Sequence, residues 1–261
     1  MARFVSPLLL AAGLVLVAPA IAQDQSKVSD DIAVAANQQA GNLTTVSGDV
    51  DLAAGARSGS VTTVSGDVDI AAKVTAGGIT TVSGDVDGDD DVRASDVETV
   101  SGDIEFGARA VTGAAETVSG NVRYGDGSRL TQANTVSGDV FIGRGGQVAR
   151  GIHTVNGAIG LVASEVAGDV TTYAGDITIG IGSHVRGNLL VRKPNNGGGI
   201  RIVNLQVKPQ PPRIVIGPDA RVDGSLTFEH PVKLYVHRSA RIGKVSGATP
   251  VMFDTPRPPA D

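Results

Sequence analysis

Thr45-Val46-Ser47-Gly48-Asp49-Val50 decides the reading of this chain, because it keeps returning. Thr-Val-Ser-Gly recurs at Thr63, Thr81, Thr99, Thr117 and Thr135, each copy 18 residues after the last. Degenerate copies follow at Thr154-Val155-Asn156-Gly157 and Thr172-Tyr173-Ala174-Gly175. Counting back one period from Val46 reaches Val28, so the frame holds nine turns between Val28 and about Leu190. Self-similarity at a fixed period of this length is the mark of a stacked-repeat architecture.

With the Val of TVSG as offset zero, apolar residues recur at offsets 0, 4, 6, 10 and 15, as Val64, Val68, Ile70, Val74 and Ile79 show. Even-numbered alternation is the period of a strand, and a helix would not carry a glycine column such as Gly48, Gly66, Gly84, Gly102, Gly120 and Gly138. One such unit cannot bury its apolar side alone, whereas stacked units bury a continuous core of Val, Ile and Leu. The expected fold class is therefore all-β, a single-stranded parallel β-helix (β-solenoid) of about 18 residues per coil. The third apolar position at offset 15, where hexapeptide repeats would put 12 or 16, favours a right-handed coil over a left-handed one.

Composition agrees. The chain has 261 residues with no Cys and no Trp, so it carries neither a disulfide framework nor a thiolate metal site. Five Phe and three Tyr are too few for the aromatic girdles of a membrane barrel. Residues 1–22 read as a secretory signal: Arg3 is the positive head, Phe4 to Val17 the apolar run, and Ala20-Ile21-Ala22 the cleavage site. No transmembrane segment is expected once the signal is removed, and the protein is expected to be exported, whether periplasmic, cell-surface or secreted. Residues 23–191 form the regular solenoid, and 192–247 an irregular continuation with loops at 192–199 and 208–212. Residues 248–261, rich in Pro, read as a C-terminal tail.

The coils from Val46-Ser47-Gly48-Asp49-Val50 to Val140 resemble the adhesin-type β-strand-repeat family of exported bacterial proteins. The last coils, Ile216 to Leu226 and Val236 to Val245, are similar to bactofilins, a polymer-forming β-helical family. Both resemblances imply a solenoid without catalysis, the first binding surfaces and the second forming a scaffold.

Stacking turns every repeated outward residue into a column. Thr45, Thr63, Thr81, Thr99, Thr117 and Thr135, with Ser47, Ser65, Ser83, Ser101, Ser119 and Ser137, are read as a flat outward Thr-x-Ser binding face. Such a hydroxyl array could order water as ice-binding solenoids do, bind a glycan, or simply serve strand preference. A second column, Asp49, Asp67, Asp85, Asp103, Asn121 and Asp139, stacks carboxylates that either accept backbone N–H groups or bridge divalent cations. Asp87, Asp89, Asp91 and Glu98 have the spacing of a calcium loop, with Val92 where that loop needs Gly, and are the candidate Ca²⁺ ligands.

No enzyme is expected. His153, His184, His230 and His237 have no metal spacing and no Ser/His/Asp order, and His153 falls in an outward column. A polysaccharide-cleaving β-helix would need two carboxylates in unlike environments, whereas these repeat identically. Charge is uneven: residues 23–142 hold 7 basic and 19 acidic side chains, net −12, and residues 143–261 hold 14 and 8, net +6. The expected partners are cell-envelope polysaccharide or a host surface, with end-to-end self-association through such a dipolar rod. Nucleic acid is not expected of a chain at net −5 with few stacking rings.

Overall fold

The computed structural model describes residues 22–193 and 211–259; the expected signal segment up to residue 21, and most of the expected loops at 192–199 and 208–212, lie outside the described residues. It is a parallel β-solenoid with no helix among the described residues. Two sheets of 12 strands each run the length of the rod, and a third of six strands is continued toward the N-terminus by single bridges from Gln39 to Arg129. The first sheet opens with Gln25–Ser26 and Leu43–Thr44, the second with Ile32–Val34 and Val50–Leu52. Every strand pairs with its counterpart one coil away, as Ile104 does with Val86 and Val122. Twelve coils at the ~4.8 Å spacing of paired strands make a rod about 53 Å long.

The coil count exceeds the nine regular turns in the sequence because the irregular continuation keeps the same register. Ile177 pairs with Ile214, and Ile214 pairs with Leu234. The C-terminal tail does not begin at 248. Val251–Phe253 forms the last strand of the second sheet, in register with Tyr235 to His237. Phe253 packs with Val215 and Tyr235 on the outside of that sheet, and Arg213 lies 5.0 Å over the Tyr235 ring and donates to the Pro259 carbonyl.

The core is a set of inward columns. Offsets 4, 6, 10 and 15 of the repeat point in: Val68, Ile70, Val74 and Ile79 are all at most 2% exposed. Size is exchanged within a column. Gly88 leaves a gap in the second sheet that the Phe106 ring fills from the next coil, and Phe106 stacks on Tyr124 with centroids 5.3 Å apart. Tyr124 is fully buried, its hydroxyl is bonded to Thr112 Oγ1 at 2.7 Å, and burial pushes its phenol well above the ordinary range.

The corner glycines have a packing reason. A Cβ on Gly102 would sit 2.7 Å from the carbonyl carbon of Gly84 and nearer still to its oxygen, and the same holds from Gly66 to Gly175. At this corner successive backbones approach too closely for any side chain. The opposite corner, between the second and third sheets, uses the left-handed conformation instead. Asn37, Gly55, Lys73, Asp91, Arg109, Gly127, Gly145, Ala163, Gly182 and Asp219 all have positive φ there.

Candidate functional site: outward columns and the groove at Phe141

The Thr-x-Ser face is not a face. Thr45, Thr63, Thr81, Thr99, Thr117 and Thr135 are buried to between 1% and 5% exposure. The adjacent Val46, Val64, Val82, Val100, Val118 and Val136 stand outward at 42–46%. The inversion has a physical cause. The chain turns after the Thr, and the turn frees backbone groups that only a polar side chain can satisfy. The Thr hydroxyls donate to the glycine carbonyl one coil back, at 3.0 Å for Thr135 to Gly120 and 3.4 Å for Thr63 to Gly48. Thr45 Oγ1 also accepts the Gly48 N–H at 3.2 Å. Valine can do neither and goes outside. Ser47, Ser65, Ser83, Ser101, Ser119 and Ser137 are exposed, beside valines and not threonines.

The corner carboxylates are backbone caps. Asp67 N–H donates to Asp49 Oδ1 at 3.0 Å, Asp85 to Asp67 at 2.9 Å, Asp103 to Asp85 at 2.8 Å and Asn121 to Asp103 at 2.7 Å. Each side chain thus ties its coil to the next, and this bonding offsets the repulsion of stacked charge.

The candidate calcium ligands are dispersed. Asp87 is an outward residue of the second sheet, and Glu98 belongs to the first sheet. Asp91 is held by the Arg109 guanidinium at 2.8 Å, which keeps its carboxyl below the usual range. Among the described residues no group of three acids and histidines is placed to hold a metal ion, so Asp87, Asp89, Asp91 and Glu98 do not form a site.

Four outward residues of the second sheet form a true acidic column: Asp51, Asp69, Asp87 and Glu105, in register one coil apart. They edge an open groove of about 700 Å³ floored by Ala53, Ala71 and Gly88. Partial burial, then the neighbouring carboxylates, push Asp69 and Asp87 above the ordinary carboxyl range.

The column changes character at the next coil. Arg123 pairs with Phe141, Phe141 with Gly160, and Gly160 with Thr178. Phe141 is 39% exposed, the one aromatic ring among the exposed large hydrophobics of the described residues. Its neighbours Val140 and Ile142 are fully inward, so its strand is in the correct register. A second groove of about 430 Å³ lies here, between Arg123, Asp139, Phe141 and Gly160. Sequence reading missed it, although the switch from acid to Arg-Phe-Gly at one repeat offset was there to be seen. The histidines are separate: His184 bonds Asp223 at 2.7 Å, His230 bonds the Tyr173 carbonyl at 2.8 Å, His237 bonds Ser239, and His153 lines the outside of the first sheet.

Fold and surface together define the class: a three-faced parallel β-solenoid whose outward residues form in-register columns. No protein-family model, curated protein or solved structure matches the chain.

Proposed function

We propose that the chain is an exported, non-enzymatic solenoid that binds cell-envelope polysaccharide or a host surface through its outward columns, as an adhesin-like or structural envelope protein. The observation that carries this is the columnar surface. One side chain per coil, repeated at about 4.8 Å, suits a ligand that is itself a repeating polymer. The carboxylates of the second sheet edge an open groove, the reverse of the closed, water-excluding cleft that acid–base catalysis uses. Co-sedimentation of the purified chain with purified envelope polysaccharide, followed by a reducing-end assay, tests the reading. Binding without new chain ends is expected, and release of new ends overturns it.

One observation favours a scaffold as the second reading. At the C-terminal end the inward columns finish on Ile242, Val245 and Ala248, all half-buried, and on Met252, 52% exposed. At the other end the columns of the first and third sheets finish on the polar Gln25 and Gln38, and those of the second on Ile32 and Val34, which are buried to at most 4% exposure. An apolar, strand-edged end facing its own kind would pair two rods tail to tail. Light scattering on Met252→Glu tests this: the scaffold reading expects dimers that the substitution abolishes, and wild-type rods that stay monomeric at every concentration remove it.

A further inference from the structure

We infer that the groove at Phe141 is a subsite for a carboxylate-bearing sugar residue of an anionic polysaccharide, with the ring as platform and Arg123 as the charge reader. This rests on the polysaccharide-binding reading above and gives it a place and a ligand class.

The ring is the first observation. An outward Phe on a strand whose inward residues are correctly buried is not displaced core. Its partner one coil on is Gly160, whose bare backbone lets the ring lean across the next coil. A Cβ at Gly160 would come within 3.3 Å of the ring. The ring therefore lies against the Gly160 backbone on one side and keeps its 39% exposed surface toward the groove, which Ala158 also lines. An aromatic face is electron-rich and attracts the polarised C–H bonds on the flat side of a pyranose.

Arg123 is the second observation. It sits between Glu105 and Phe141 in the column, yet makes no ion pair with Glu105 or with any other described residue. Its side chain lines the groove with Phe141, and Glu105 lines the other, acidic groove. An unpaired guanidinium beside an apolar ring offers a planar two-point bond to a carboxylate. Asp139 completes the set. Its Oδ1 accepts the Ala158 N–H at 2.7 Å, and its Oδ2 has no partner among the described residues, which leaves an acceptor for a sugar hydroxyl. About 430 Å³ is within the range of clefts that hold small ligands. The site also lies at the junction of the two charge halves: toward the N-terminus the column is acidic and would repel an anionic polymer, whereas on the other side it continues as the uncharged Gly160 and Thr178.

Titration calorimetry of the full chain with a hexamer of galacturonic acid, and with a neutral galactose hexamer, tests the assignment. The expected result is binding of the uronate hexamer, with Phe141→Ala and Arg123→Gln each weakening it at least tenfold. The neutral hexamer should bind at least tenfold more weakly to the wild type. Phe141→Trp should retain affinity and quench on titration, and unchanged melting of all variants shows that they fold. Uronate binding that both variants leave intact overturns the groove while the wider polysaccharide reading stands, since the site is then elsewhere on the rod. A wild type that ignores the uronate hexamer, or takes the neutral one equally well, also overturns the assignment. The co-sedimentation experiment with envelope polysaccharide then decides the wider reading on its own.

Discussion

Gly102→Ala and Gly182→Ala add the same methyl group to the same rod for opposite reasons, and their costs should differ severalfold. At Gly182, φ is +65° and a Cβ would meet nothing within 4 Å, so the only cost is the left-handed backbone, about 1 kcal/mol. At Gly102 the backbone angle is ordinary, and the obstacle is the Gly84 peptide, whose carbonyl carbon would lie 2.7 Å from the new Cβ. Ordinary carbon contacts are near 3.5 Å, so two coils must part by most of an ångström. Overpacking of this kind costs about 1–3 kcal/mol. The parting also strains the bond from Thr117 Oγ1 to the Gly102 carbonyl at 3.1 Å, and from Thr99 Oγ1 to the Gly84 carbonyl at 3.2 Å, each worth about 1 kcal/mol. The sum is about 3–5 kcal/mol. Urea unfolding followed by far-ultraviolet circular dichroism measures both variants against the wild type. A Gly102→Ala cost equal to or below that of Gly182→Ala would refute the argument that backbone approach selects glycine at this corner.

Thr99→Val should destabilise by about 1–3 kcal/mol although it adds apolar surface to a buried site, because it leaves the Gly84 carbonyl unpaired; chemical denaturation reads the difference, and a neutral or stabilising result contradicts the corner account. Ala163→Gly should stabilise by up to about 1 kcal/mol, since Ala163 holds φ at 44° in the left-handed column, and a lower melting temperature would count against it. For Asp69 the folded-state pKa lies above its ordinary 3.8, so the folded chain binds that proton more tightly than the unfolded one. Its ionised form therefore weakens the rod at neutral pH, and this penalty is relieved as the pH falls through the folded pKa toward 3.8. Asp69→Asn should stabilise the rod at pH 7 by under ~1 kcal/mol for so exposed a carboxylate, read as a higher melting temperature, and the gain should shrink on acidification; a gain that grows toward low pH has the wrong sign.

The rod was readable in the sequence because two independent columns share one period. The glycine corner and the Val/Ile positions at offsets 4, 6, 10 and 15 admit a single way of stacking. What hydropathy could not rank was the Thr-Val pair. Valine is the more apolar of the two, but a turning backbone needs a hydroxyl inside, and that demand appears only when Gly48 and Thr63 lie in adjacent coils. The strand at Val251–Phe253 was hidden by the prolines around it, and its place follows from the open edge that Tyr235 to His237 present. The Phe141 groove is made of residues from three coils, and no single segment carries its pattern. The calcium spacing failed for the related reason that Asp87 and Glu98, close in the chain, belong to different sheets.

The TVSG copies stack in register, valine outward, one coil apart. With no native cysteine, Val46→Cys/Val136→Cys can be spin-labelled cleanly and measured by double electron–electron resonance. The two positions are 90 residues and five coils apart, and five spacings of ~4.8 Å place them about 24 Å from each other, with a narrow distribution and melting unchanged by the labels. A broad distribution, or a distance well beyond the length of five coils, would contradict the stacked-coil account.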